Sequence, residues 1–210
     1  MSHQRLRQVG RSLFALAIDT GAVFHYARFP LYWGTLGRLR SALQLRDGER
    51  VLDVGCGTGI GVAVTRGTRA AYVGIDTDAT YVRFARAQRG GSPCDFAEMS
   101  AADLGFVERA FDKAVVINVL HHLPEAALDR LLMELARVVR ERVVLCDWAT
   151  DGHNAISAFV ARHDRGEHIR TRSELRRLLQ RHYVVQHEEV FMNRLHIISQ
   201  VLFTLAPRTV

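Results

Sequence analysis

The chain has 210 residues, enough to bury one good core, and 48% hydrophobic against 24% charged residues is the balance of an ordinary soluble globular protein rather than a disordered or fibrous one. Three cysteines, Cys56, Cys94 and Cys146, are odd in number and lack metal-ligand spacing, which argues against a disulfide framework or zinc site and for a reducing, cytoplasmic setting. The net charge of +6 comes almost wholly from arginine; it fits a solvated basic surface, and the functional alternatives are RNA, an acidic protein or an acid group on a small-molecule partner.

No span is long and apolar enough to cross a membrane; Leu13 to Ile18 is cut by Asp19 and is also poor as a signal peptide. Leu6, Val9, Leu13, Leu16 and Ala17 recur at helical spacing and predict a first amphipathic helix over 5–18. Phe24 to Trp33 then packs six aromatic side chains, counting His25, into ten residues. This segment either docks on the core or forms a lid, residues 1–46, whose His25, Tyr26 and Tyr32 close over bound ligands. A short helix over 35–45 leads to the Asp47-Gly48 turn, where the main unit, residues 47–210, begins.

Val51-Leu-Asp-Val-Gly-Cys-Gly-Thr-Gly59 reads as a strand covered on both faces that ends in a glycine-rich turn. Gly55, Gly57 and Gly59 remove side chains where the chain turns sharply and a ligand must approach the backbone. The helix expected over 60–66 is short and weakened by Gly61 and Thr65. Ala71 to Asp76 is the next strand, and Asp76, 23 residues beyond Asp53, stands where an acid accepts from two ribose hydroxyls. Asp78 can cap a helix that turns Tyr81, Val82 and Ala85 inward. Strands follow at Cys94–Met99 and Asp112–Ile117. Pro124 opens the clearest helix, with Leu128, Leu131, Leu132, Leu135, Val138 and Val139 in one stripe. A fifth strand spans Arg142–Trp148, and Thr171 with Glu174 forms a capping box before a helix that buries Leu175, Leu178 and Leu179. Two last strands, Tyr183–Met192 and Leu195–Ala206, leave Asn193 and Arg194 for a hairpin. The pattern predicts one α/β domain: a Rossmann-like, seven-stranded, mostly parallel sheet with helices on both faces and a C-terminal antiparallel hairpin.

The nonapeptide resembles motif I of class I S-adenosylmethionine (SAM) dependent methyltransferases. The resemblance extends over about 48–206 through Tyr72-Val-Gly-Ile-Asp76, Phe111-Asp112, Val119-Leu-His-His-Leu-Pro124 and the helix ending at Arg137-Val-Val. It is closest to small bacterial enzymes that methylate metabolites, including quinone-pathway and natural-product enzymes. The resemblance implies SAM as cofactor, S-adenosylhomocysteine as product and transfer to O, N or C of a small-molecule acceptor. Gly55, Cys56, Gly57, Thr58 and Gly59 would then lie under the methionine part, and Asp53 would reach its ammonium directly or through water. Asp76 with Thr77 would bind the ribose, and Ile117 and Asn118 would border the ammonium and sulfonium. The family's adenine-binding Asp falls here on Ser100, flanked by Ala101. The Pro-Gly-Gly turn before the fifth strand is replaced by Val139 to Arg142.

Methyl transfer is an in-line displacement that chiefly needs alignment, but a neutral hydroxyl or activated carbon also wants a general base, and histidine is the usual one. His121 is the preferred base and His122 a fold or cofactor-side residue, with loop-carbonyl contacts the bland alternative; His25 is the base if the lid closes. Tyr26, Tyr32, Asp147, Arg165 and Arg170 are the candidate acceptor-binding residues, the arginines for an anionic handle; the bland alternatives are a helix or loop cap for Asp147 and surface charge for the arginines. No metal arrangement is evident, and the protein is expected to act as a monomer or homodimer. An RNA substrate is disfavoured because Asn118-Val-Leu-His stands where an amine-methylating Asn-Pro-Pro-Tyr motif would be. A non-methylating accessory subunit or cyclase remains a rival. An NAD-binding protein fails on the spacing of the glycines.

Overall fold

The computed structural model describes residues 34–148, 168–192 and 199–208. The predicted helix over 5–18, the aromatic segment with His25, Tyr26 and Tyr32, Arg165, and the hairpin residues Asn193 and Arg194 lie outside the described residues. Seven strands make one sheet: β1 (Arg50–Val54), β2 (Ala71–Asp76), β3 (Cys94–Glu98), β4 (Phe111–Ile117), β5 (Val139–Trp148), β6 (Tyr183–Met192) and β7 (Ser199–Pro207). Their order is β3-β2-β1-β4-β5-β7-β6. The first five run parallel, and β7 lies antiparallel between β5 and β6.

Near-continuous apolar runs form the central strands because both faces are covered. On one face Leu52, Val54, Ala114, Val116, Leu145 and Phe203 meet α3 (Glu125–Val138) and α4 (Arg172–Leu179). On the other, Val51, Val115, Ile117, Val144 and Leu202 pack with α1 (Thr35–Leu43), the 3-10 helix Ile60–Thr65 and α2 (Ala79–Arg89). Leu39 and Leu43 of α1 are fully buried, so this described part of the predicted lid segment covers the sheet. Asp78 caps α2 as expected, accepting from the N–H of Thr80 and Tyr81, and the Thr171–Glu174 capping box is formed.

Two boundaries differ from the sequence expectation. The helix after Gly59 is a 3-10 turn, because β-branched Val62, Val64 and Thr65 restrict it and Gly61 sits on a buried acid: a Cβ there would lie 1.9 Å from Asp53 Oδ2. The stripe of α3 does not include Val139, which is already extended (φ −107°, ψ 135°) and opens β5 opposite Phe111. Helix and strand join without the glycine turn, so β5 starts three residues before the predicted Arg142.

At the amino ends of the parallel strands, buried Lys113 donates to Glu49 Oε2 and the Gln44 carbonyl, each at 2.7 Å. Arg46 adds its backbone N–H (2.7 Å) and Nε (2.6 Å) to the same carboxylate. This cluster ties the end of α1 to β1 and β4, away from the carboxyl ends where the site lies.

Candidate active site

Strand order reverses between β1 and β4, and in such sheets ligands bind outside the carboxyl ends at that point. Two turns meet there. The first, Gly55–Gly59, has φ of 75°, 51° and 76° at its three glycines, conformations that favour glycine. A Cβ on Gly55 would sit 2.3 Å from Cγ2 of Val119 in the second turn, so this glycine sets how closely the turns approach. A Cβ on Gly57 meets none of the described residues within 4 Å, so this part of the turn stands clear of them. The N–H groups of Gly55 and Cys56 both donate to the Ile75 carbonyl (2.8 and 2.9 Å), and that of Gly57 donates to Asp76 Oδ2 (2.8 Å). Asp76 Oδ1 accepts from the N–H of Asp78 (2.9 Å). Each oxygen thus holds one backbone donor and keeps acceptor capacity for hydroxyls.

Below this turn Asp53 is 1% exposed. Its Oδ2 accepts from the fully buried Tyr72 hydroxyl, and Oδ1 has no hydrogen-bond partner among the described residues. Burial raises the Asp53 carboxyl from the ordinary 3.8 to about 7; the Tyr72 hydroxyl opposes this shift and the charge of Asp76 adds to it. Tyr72 went unmentioned as a site residue in the sequence reading. The register Asp53↔Gly74 puts Tyr72 two residues from Asp53's partner, hence on the same face, and that was the available signal. Burial likewise pushes the Cys56 thiol well above its usual range, so Cys56 is an inert packing residue against Gly74.

The second turn follows β4. Ile117 is buried, and Asn118 adopts a left-handed conformation (φ 54°) that Asn tolerates, its N–H donating to the Cys146 carbonyl at 2.8 Å. Asn118 Oδ1 accepts from Gln200 Nε2 (3.2 Å), and Gln200 Oε1 accepts from the Thr35 hydroxyl (2.8 Å), a relay from β4 through β7 to α1 that the sequence reading missed. The 3-10 turn Leu120–His122 comes next. His121 is 3% exposed and lies against Trp148, ring centroids 5.2 Å apart and 26° from parallel; His122 is exposed, with its ring 4.1 Å from that of His121. His121 Nδ1 meets Asp147 Oδ1 at 2.5 Å.

Asp147, a candidate acceptor residue or loop cap by sequence, caps the loop after β4 in the structure. It is 2% exposed: Oδ1 accepts from the Trp148 N–H (2.6 Å) besides the imidazole, and Oδ2 from the N–H of Leu120 (2.6 Å) and His121 (3.2 Å). A carboxylate with that many donors orients a loop and a ring. Arg170, predicted to grip an acid group, instead donates from NH1 to the carbonyls of Leu120 (2.9 Å) and His168 (3.1 Å) and from NH2 to that of Leu123 (2.7 Å). Thr77 and Ser100 are exposed, Ala101 is half-buried, and Ser100 Oγ accepts from the Ala102 N–H (3.2 Å). The structure thus gathers the residues 53–59, 76, 117–122 and 147 at one end of the sheet. Among the described residues, no group of three or more His, Cys, Asp or Glu could hold a metal, and no helix is long and apolar enough to cross a membrane.

Comparison with known proteins agrees with this geometry. A methyltransferase domain family matches residues 51–142. A fatty-acid O-methyltransferase of Mycolicibacterium smegmatis is 34% identical over 96 residues, 45% of this chain and 34% of that protein. An O-methyltransferase of Penicillium expansum, cnsE, is 36% identical over 56% of this chain and 44% of its own length. The chain therefore spans less than half the length of these curated relatives. Among solved structures, a complex of the Haloferax volcanii Trm112 methyltransferase activator with a methyltransferase aligns at TM-score 0.78 over 92% of this chain and 97% of the other, at 16% identity, a likeness of fold.

Proposed function

We propose that this protein is a class I SAM-dependent methyltransferase that methylates a small molecule at a neutral O, N or carbon acid, with His121 as general base; the match of residues 51–142 to a methyltransferase domain family supports this reading. The described residues fit the cofactor. The Gly57 turn is open where a side chain would block it, Asp76 keeps acceptor capacity at both oxygens, and buried Asp53 Oδ1 is an unsatisfied acceptor for a cationic group. Gly55–Gly59 and Asp53 would hold its amino-acid part and Asp76 its ribose. Bound SAM supplies an electrophilic methyl group on a sulfonium.

The observation that carries the base is the buried His121 Nδ1···Asp147 Oδ1 contact of 2.5 Å. A carboxylate on Nδ1 keeps the proton there, fixes the neutral tautomer with its lone pair on Nε2, and stabilises the imidazolium formed when a proton is taken. Stacking on Trp148 limits ring rotation, and burial keeps water from competing. Such a base is superfluous for a carboxylate acceptor, already ionised at neutral pH, and useful for a hydroxyl. That favours alcohols, phenols and activated carbons over free acids, in a biosynthetic setting such as natural-product, quinone or envelope metabolism.

The test is methyl transfer from radiolabelled SAM to a panel of phenols, alcohols and fatty acids by wild type, His121→Gln and His122→Gln. A general base contributes about 10²–10⁴-fold, so His121→Gln should lose that much on a hydroxyl acceptor while His122→Gln keeps most of the rate. A wild-type rate in His121→Gln overturns the base.

A further inference from the structure

The turn Leu120–His122 is held from opposite sides by two parts of the chain that are far apart in sequence. On the N–H side is Asp147, which accepts from Leu120 and His121. On the carbonyl side is a strap of three residues, His168 to Arg170. The His168 N–H donates to the His121 carbonyl at 3.0 Å, and Arg170 spans the carbonyls of Leu120 and Leu123 with its two terminal nitrogens. Arg170 NH1 also closes on the His168 carbonyl, which stiffens the strap itself. The strap is anchored from below, since it runs into the capping box of α4, whose Leu175, Leu178 and Leu179 are buried in the core. Negative charge at the N–H end and positive charge at the carbonyl end match the dipole of the turn.

We propose that Arg170 is a positioning residue: its guanidinium holds the carbonyl side of the turn so that the His121 ring stays on Asp147 and Trp148. The inference deepens, and rests on, the reading of His121 as base. The residue type follows from the geometry, because a planar fork reaches two carbonyls three residues apart, whereas a single ammonium is a point donor. The same contacts explain why Arg170 is not spent on an acceptor's acid group.

The experiment reads the ring directly. With histidine labelled by nitrogen-15, the Nδ1 proton of His121, shielded from exchange between the imidazole and Asp147, should give a far-downfield resonance, assigned by its loss in His121→Gln. In Arg170→Ala this resonance should vanish or broaden while SAM affinity by calorimetry stays at the wild-type value, and guanidinium ion added to the variant should restore it. In Arg170→Lys, the variant to use if the alanine protein does not fold, the resonance should be weakened. A wild-type resonance in a folded Arg170 variant, even one of lowered Tm, overturns the proposal, because a merely structural role predicts that pattern. Failure of the base reading shows up separately, as a wild-type transfer rate in His121→Gln, and does not touch the ring-proton readout.

Discussion

Replacing Asp53 by asparagine should change the stability of the cofactor-free protein with a sign that depends on pH. Asp53 is 1% exposed and its carboxyl is raised from 3.8 to about 7, mainly by burial. Between about pH 4 and 7 the folded chain keeps a proton that the unfolded chain releases, so stability contributed at this position falls as pH rises through that window. Above it, holding the ionised group costs about 4 kcal/mol, from 1.36 kcal/mol for each tenfold change in proton affinity. Asparagine removes that cost. Its oxygen can still accept from the Tyr72 hydroxyl, but its NH2 replaces an Oδ1 that has no partner, a penalty of about 1–3 kcal/mol. Asp53→Asn should therefore be more stable than wild type by about 1–3 kcal/mol near pH 8 and less stable by up to about 2 kcal/mol near pH 4.5, where folded Asp53 is already neutral. At about 2–4 °C per kcal/mol, thermal unfolding across that range resolves the crossing. Parallel Tm–pH curves for the two proteins would refute the reasoning, since they would mean that Asp53 ionises as an ordinary carboxyl.

Gly55→Ala and Gly57→Ala should separate folding from binding in the same turn. The first forces a Cβ to 2.3 Å from Val119 at φ 75° and should cost about 2–5 kcal/mol in urea unfolding; the second meets open space and should cost about 1 kcal/mol, yet lower SAM affinity in calorimetry. Equal stability of the two variants would contradict this account of the turn contact. Glu49→Gln leaves buried Lys113 without its carboxylate and should destabilise by about 3–5 kcal/mol, more than Lys113→Met, after which Glu49 still holds Arg46. Burial raises the Glu49 carboxyl, but the hydrogen bonds from Lys113 and Arg46 outweigh it and lower the group below 4.5. The contribution of this cluster to stability is thus complete above that pH and lost as pH falls through the lowered value, which acid unfolding of wild type against Glu49→Gln measures.

The sheet was legible because its signals are local. Runs such as Val115-Val-Ile117, glycines at the ends of strands and the Leu128–Val138 stripe each report burial within one element. The 3-10 turn after Gly59 was not, because what fixes it is Asp53 beneath Gly61, a contact with another element. The same divide runs through the site. Motif I and Asp76 lie together as their spacing suggested. The roles of Asp147 and Arg170 depend on which backbone groups of residues 120–123 they meet, 26 and more positions away along the chain, and side-chain type alone could not choose between a ligand and a structural role. Neighbouring histidines gave no hint of which was buried; Asp147 and Trp148 at the end of β5 decide that.

The place of β7 bears on how the protein is made. Of the seven strands it leaves the ribosome last, yet it lies between β5 and β6, which were synthesised before it. Until residues 199–207 emerge, Val143 to Trp148 present an unpaired apolar edge, and β6 has none of the other described strands to pair with. The right half of the sheet must therefore close late and all at once, through pairings far apart along the chain, while translation leaves a sticky strand edge waiting. A chain stalled or clipped short of Ser199 would lose an interior strand rather than a dispensable tail, and would offer that edge to other nascent chains or to chaperones.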